Sequence, residues 1–318
     1  MQKSGELQQA VAILHDSGLV AFPTETVYGL GADARNPDAL ANIFTAKGRP
    51  ADHPLIVHVA EMSQLSDWAS AIPEVAYRLA EAFWPGPMTL ILQKNPAVHD
   101  LVTGGQNTVG VRIPRHPVAQ ALLKAFGGGL AAPSANRFGR ISPTTAAAVK
   151  EELGSAVDLI LEGGQCAVGV ESTIIDVSSG VPKILRPGMI NALDISSVAG
   201  MNVAVASAST IRVSGSHESH YAPRTPTFLI PAGAVGNAIC RISAGELPVV
   251  VLHYSNVGEQ VAGCELVKMS DDVKDYAHDL YLMLRAADQR QAQRILVEKV
   301  PEDIEWDGVR DRLARACK

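Results

Sequence analysis

The sequence predicts an α/β protein. A twisted mixed-sheet domain with a concave cationic site, residues 1–201, is followed by a linker, 202–226, and a smaller C-terminal α/β domain, 227–318. Three observations carry this. At 318 residues the chain exceeds the usual single-domain size, and each part is long enough to bury a core. Short apolar runs alternate with stretches of helical periodicity, yet several strands follow one another through short Gly/Pro turns, which favours a mixed sheet over a doubly wound one. Between about 203 and 226 the chain turns Ala/Ser/Gly/His-rich, and Ser214-Gly215-Ser216-His217-Glu218-Ser219-His220 has no apolar period.

The elements follow in order. Leu7, Ala10, Val11 and Leu14 recur at helical spacing, and Gly18 punctuates entry into the extended run 19–22. Asn36-Pro37 starts a helix, with Asn as cap and Pro in the first turn, and Leu40, Ile43 and Phe44 supply its buried stripe. Strands are expected at 55–59, 88–92, 108–113, 159–161 and 172–177, and helices at 74–83, 118–126 and 143–153. Past the linker, 227–230 and 248–253 read as strands. Val273, Tyr276, Ala277, Leu280 and Leu284 mark a helix capped by Ser270-Asp271.

A formal net charge of −6 argues against a chain that coats nucleic acid, so any RNA contact is local. Cys166, Cys240, Cys264 and Cys317 are widely separated and form no zinc-spaced cluster, so they read as reduced packing thiols of a cytoplasmic protein, with no protein-ligated metal. The start lacks the apolar core of an export signal, and no apolar run approaches the roughly 18 residues of a membrane helix.

Five polar clusters interrupt the apolar strands of the first domain. Phe22-Pro23-Thr24-Glu25-Thr26-Val27-Tyr28-Gly29-Leu30-Gly31 places hydroxyls at a strand end before glycines, as a ligand loop or an ordinary turn would. Lys47-Gly48-Arg49 puts two cations at a helix C-terminus, where they either complement its dipole or face a ligand together with His58 on the next strand. In Thr108-Val109-Gly110-Val111-Arg112-Ile113 the period of two sets Val109, Val111 and Ile113 on a core face. Thr108, Gly110 and Arg112 share the other, which is either a carboxylate- or phosphate-binding face or a solvated edge. Ala131-Ala132-Pro133-Ser134-Ala135-Asn136 lets a ligand approach backbone, and Ser142 caps the next helix, a ready anion site. Glu171-Ser172-Thr173 and Arg186 add a polar strand start and a further cation. Donors and cations without a thiol nucleophile suit electrostatic stabilisation of anionic reactants, as in nucleotidyl transfer. Gly127-Gly128-Gly129 lacks the Lys and Ser/Thr of a P-loop.

These motifs, with Ala46-Lys47-Gly48-Arg49-Pro50, Pro54-Leu55-Ile56-Val57-His58-Val59, Trp84-Pro85-Gly86-Pro87-Met88-Thr89-Leu90 and Ala132-Pro133-Ser134-Ala135-Asn136 in this order, closely resemble the YrdC-domain family. His220-Tyr221-Ala222-Pro223-Arg224-Thr225-Pro226 after a linker looks like the family's long, two-domain form. The resemblance implies an ATP-using transferase. It would join L-threonine, bicarbonate and ATP, with Mg²⁺, into threonylcarbamoyl-AMP and pyrophosphate, for a partner ligase that makes N6-threonylcarbamoyladenosine at tRNA position 37. It places the catalytic set on Lys47, Arg49, Ser134 and Asn136, and L-threonine on Thr24, His58, Arg112 and Ser172. ATP falls on Lys47, Arg49, Thr108, Ser134, Ser142, Arg186 and Tyr221, the last as an aromatic of a linker folded over the nucleotide. His53 stands where the family often has Asn, and 214–219 lacks the usual basic residues. A non-catalytic RNA-binding or ribosome-associated module is the alternative. A YrdC-containing carbamoyltransferase would need acylphosphatase and zinc-finger segments that this chain lacks.

Overall fold

A computed structural model describes residues 4–206, 209–215, 220–257 and 261–317. Residues 207–208 and 216–219 of the expected linker lie outside the described residues. The first nine strands are β1 (Val20–Phe22), β2 (Gly29–Asp33), β3 (Ile56–His58), β4 (Met88–Gln93), β5 (Thr108–Arg112), β6 (Leu130–Ala131), β7 (Leu159–Ile160), β8 (Thr173–Asp176) and β9 (Lys183–Arg186). They form one sheet in the order β7-β1-β2-β6-β3-β5-β4-β8-β9. The pairs β1/β7, β3/β5 and β4/β8 are parallel and the others antiparallel, so the sheet is mixed as expected.

The local reasons are those of the sequence. Asn36 accepts from the amides of Asp38 and Ala39 to start the helix Pro37–Lys47, and Gly48 ends it at φ 61°, a left-handed conformation that glycine adopts without strain. Lys47 and Arg49, on either side of that stop, are both buried. Arg112 comes from β5, which lies between β3 and β4, so the solvated-edge reading of this strand does not hold. Val109 and Val111 join the main core, as the alternation requires.

The helix expected from residue 143 begins later, at Ala146–Leu153, with Thr145 as its cap. Carbonyls that a longer helix would use are spent elsewhere: Tyr28 donates to Pro143 at 2.9 Å and Cys166 to Thr144 at 2.9 Å. Ser142 is therefore not a cap, and the anion site argued for that helix start is absent. The helix Val273–Asp288 is likewise capped by Asp272, not by Ser270-Asp271.

The second sheet contains β10 (Thr227–Ile230), β11 (Val249–His253), β12 (Cys264–Lys268) and β13 (Arg294–Glu298), all parallel in the order β10-β13-β11-β12. Its helix Val273–Asp288 and the final helix Asp307–Ala316 share a core with Val27, Ile141 and Val170 of the first part, and with Tyr221. Gly169 and Gly308 allow this contact. A Cβ on either would fall 2.2 Å from the Ala277 carbonyl oxygen or 2.8 Å from Gly188. The four cysteines are free thiols, but Cys240 is exposed rather than a core thiol. No helix of the described residues is long and apolar enough to cross a membrane.

Candidate active site

A cleft opens where the ends of β1, β3, β5 and β9 meet the linker. Thr24, Arg49, His58, Arg112, Ser134, Ser172, Arg186 and Tyr221 all line it. Lys47 and Asn136 stand just behind its wall, and Ser142 behind Glu171. Thr108 does not reach it. With Gly110, Gln106 and Arg212 it lines a smaller neighbouring cavity that shares Ile56 and Ser214 with the first.

Two hydrogen-bonded groups build the cleft. The first surrounds Arg112. Its Nε donates to the Gly86 carbonyl at 3.1 Å, one terminal nitrogen to Thr26 Oγ1 at 2.9 Å and the other to Glu25 Oε1 at 2.7 Å. Burial would raise the Glu25 carboxyl, but Arg112 and the Arg115 amide outweigh it and hold it below the usual range. Thr24 spends its hydroxyl on the turn, donating to the Val27 carbonyl at 2.6 Å and accepting from the amides of Thr26 and Val27. His58 is opposite Arg112 in the β3/β5 register. Burial, and then the Arg112 charge, push the imidazole down to about 3, so it is neutral at physiological pH. Its Nδ1 lies 3.2 Å from the Ile56 carbonyl, which makes Nδ1 the protonated nitrogen and leaves Nε2 as an acceptor.

The second group ties the linker to the sheet. Arg186 donates to the Ser172 carbonyl at 2.8 Å, to Ser172 Oγ at 3.2 Å and to the Ser214 carbonyl at 2.8 Å. Arg49 reaches the same serine, donating to Ser214 Oγ at 3.2 Å and to the Pro54 carbonyl at 2.9 Å. Lys47 Nζ donates to the carbonyls of Ser134 and Asn136, both at 2.5 Å, and so shapes the small-residue loop. Burial, and then Arg49, lower the Lys47 ammonium, and burial brings Arg49 down to about 10. Arg49, at about 10, remains a cation at neutral pH.

Tyr221 is not a linker aromatic in solvent. It is 1% exposed, at φ 62°, with its ring 4.1 Å from His220 and 5.7 Å from Tyr281. Its hydroxyl has no partner among the described residues. Six buried side-chain polar atoms lack one, and four of them are Arg49 Nε, Asn136 Oδ1, His220 Nδ1 and Tyr221 Oη. Orphans of this kind are rare in folded proteins, and their concentration here marks a site built for a polar ligand.

Sequence reasoning gave no site role to Thr26, Glu25 and Ser214, which hold the arginines, or to Glu171, which lines the cleft. Glu25 and Thr26 stood inside a polar cluster, but nothing in one strand end reveals a partner across 87 residues of chain.

Residues 12–188 match the Sua5/YciO/YrdC domain family, described as "Telomere recombination", and residues 189–317 match the family described as "Threonylcarbamoyl-AMP synthase, C-terminal domain". The chain belongs to the Sua5/YrdC family. It has the long form, with both domains matched in sequence. The threonylcarbamoyl-AMP synthases of Pyrococcus abyssi and Bacillus subtilis are each 38% identical to it, over 98% of this chain and 94% and 93% of theirs. In structure, the crystal form of P. abyssi Sua5 complexed with L-threonine is similar across 99% of this chain and 94% of that one, with a TM-score of 0.89 at 36% identity. The similarity therefore includes the second domain of the Sua5 fold.

Proposed function

We propose that this Sua5-family chain is a threonylcarbamoyl-AMP synthase, a nucleotidyltransferase acting on L-threonine, bicarbonate and ATP. The observation that carries this reading is the cleft with its two hydrogen-bonded groups and its orphaned polar atoms, in a chain that is similar to threonylcarbamoyl-AMP synthases over nearly its whole length. The group around Arg112, His58 and Thr24 is assigned to L-threonine. Three of the five guanidinium protons of Arg112 are used internally, and the rest are available to the amino-acid carboxylate. His58 at a pKa of about 3 is too weak a base to take a proton, so it accepts a hydrogen bond instead. Ser172, also assigned to L-threonine, is bonded to Arg186 and so adjoins the nucleotide group.

Arg49, Arg186, Ser134 and Tyr221 are assigned to ATP. Lys47 and Asn136 hold the loop that carries Ser134, and Ser142 and Thr108 act from behind or beside the cleft. The threonine amine forms a C–N bond with bicarbonate, losing water. A carbamate oxygen then attacks the α-phosphorus, and the bond to the β-phosphate breaks to release pyrophosphate. Lys47 and Arg49 offset the charge that builds on that leaving group. Both acids at the cleft, Glu25 and Glu171, are paired with arginines, so Mg²⁺ fits as an ion held by the triphosphate and water rather than by the protein.

The product would feed a ligase that makes N6-threonylcarbamoyladenosine in tRNA, in the cytoplasm, with residues 1–201 as the catalytic domain, 202–226 as the linker and 227–318 as the C-terminal domain. The cleft does not suit an RNA backbone. Lys47, Arg49, Arg112 and Arg186 are only 2%, 8%, 4% and 3% exposed, out of reach of a polynucleotide lying on the surface. The test is a double-label experiment. Carbon from bicarbonate and phosphorus from the ATP α-position must appear in one product that forms only with L-threonine; separate products would refute the assignment.

A further inference from the structure

Glu171 is an acid in a cleft otherwise built from cations. It lines the cleft with Arg49 and Arg186 and is buried. An unpaired carboxylate there would cancel a neighbouring arginine and repel a polyphosphate. The second domain prevents this. Arg312, fully buried in the helix Asp307–Ala316, donates from Nε to Glu171 Oε2 at 2.6 Å. Its terminal nitrogens donate to the carbonyls of Glu171 at 3.1 Å and Pro187 at 2.9 Å. Ser142 Oγ at 2.5 Å and Tyr281 Oη at 2.9 Å complete the shell of the carboxylate. The guanidinium carbon of Arg312 also lies 5.3 Å from the centre of the Tyr221 ring, in cation–π contact. Asp311 pairs with Arg312 at 2.8 Å and is itself shared with Arg315.

We propose that Arg312 is a positioning residue for the nucleotide half of the cleft: by pairing with Glu171 and supporting the Tyr221 ring, it keeps Arg49 and Arg186 available to a polyphosphate. This rests on the synthase reading and assigns its second domain a part in the site. Among the described residues, Lys47, Arg49 and Arg186 form no ion pair within 4.0 Å. Glu171 is the acid placed to change that, because its backbone carbonyl and side chain both turn toward Arg312 while the next residue, Ser172, binds Arg186. Other cross-domain pairs exist away from the cleft. Arg140 meets Asp288 at 3.2 Å and supplies a control for simple docking.

The experiment uses the full chain and equilibrium calorimetry, with Mg²⁺-ATP and L-threonine as separate probes, alongside thermal melts of every variant. Arg312→Gln is expected to weaken ATP binding by about tenfold or more, as stranding one member of a buried ion pair does, and to leave L-threonine binding within about twofold. In Glu171→Gln/Arg312→Gln the stranded charge is gone, and most of the ATP affinity returns although Arg312 is still missing. Arg140→Gln lowers the melting temperature without changing ATP affinity. A double variant no tighter for ATP than Arg312→Gln, or equal losses for ATP and L-threonine, would overturn the proposal. Should Arg312→Gln not fold, Glu171→Gln alone decides: ATP affinity at or above the parent supports the proposal, and a loss of about tenfold refutes it. A parent protein that binds neither probe would refute the synthase reading as well, whereas normal parent binding with discordant variants refutes this inference alone.

Discussion

Replacing Tyr221 by Phe removes one oxygen and keeps the ring, and the structure assigns opposite signs to its two consequences. The ring is 1% exposed and packed on His220, Tyr281 and the Arg312 guanidinium, contacts that Phe retains. The hydroxyl is buried without a partner among the described residues, which costs ~1–3 kcal/mol in the ligand-free protein. Tyr221→Phe should therefore stabilise that state by about 1 kcal/mol, a rise in melting temperature of roughly 2–4 °C for a domain of ordinary size. With ATP, to which the proposed function assigns Tyr221, the hydroxyl is expected to donate to a phosphate oxygen. A bond to a charged acceptor contributes ~1.5–3 kcal/mol, so its loss raises the ATP Kd by roughly 10- to 150-fold. The assay is a thermal melt without ligand and a calorimetric ATP titration on the same preparation. A lower melting temperature together with an unchanged ATP Kd would refute the reasoning, because Tyr221 would then serve packing through its hydroxyl and not the nucleotide.

Three further outcomes are expected. Gly215→Ala places a Cβ 2.1 Å from Tyr221 Oη at a backbone φ of 83°, so it should lift the linker and speed proteolytic cleavage near Arg212; an unchanged cleavage rate would show that the linker is not pinned there. Arg112→Ala leaves Glu25 buried and unpaired, which costs ~3–5 kcal/mol of stability. It should also raise the L-threonine requirement far more than the ATP requirement, and equal effects on both would show that Arg112 is misassigned. From neutrality downward, stability should fall as pH drops through 6.5. The unfolded chain then binds protons that folded His58 and His220 refuse until about 3, at ~1.4 kcal/mol per pH unit for each ring. Glu171, held near 2 despite burial because Arg312 outweighs it, adds a loss between 4.5 and 2. A His58→Gln/His220→Gln variant with the same slope from pH 6.5 to 4.5 would refute the histidine contribution.

Much of the first domain was legible because its signals are local. Asn36 and Gly48 bound a helix by side-chain capping and by a left-handed turn, and the alternation in β5 put Arg112 and Val111 on opposite faces. The same alternation could not say that both faces are buried, since that depends on β3, β4 and the linker arriving from elsewhere. β12 was missed because its five residues include exposed Glu265 and Lys268 and show no apolar run. β13 was missed because only three apolar residues separate Arg294 from Glu298. In the site, the hydroxyl and cation clusters were visible, but their partners were not. Arg312 sits between Asp311 and Arg315 among the charges of the final helix, and its partner Glu171 is 141 residues away. Only the folded chain shows that this charge is turned inward.

The central claim is that the cleft joins three substrates in one reaction, and pyrophosphate release from ATP tests it most directly. With Mg²⁺ present, release should require L-threonine and bicarbonate together and fall to background when either is omitted. Release from ATP at the full rate without L-threonine would contradict the account.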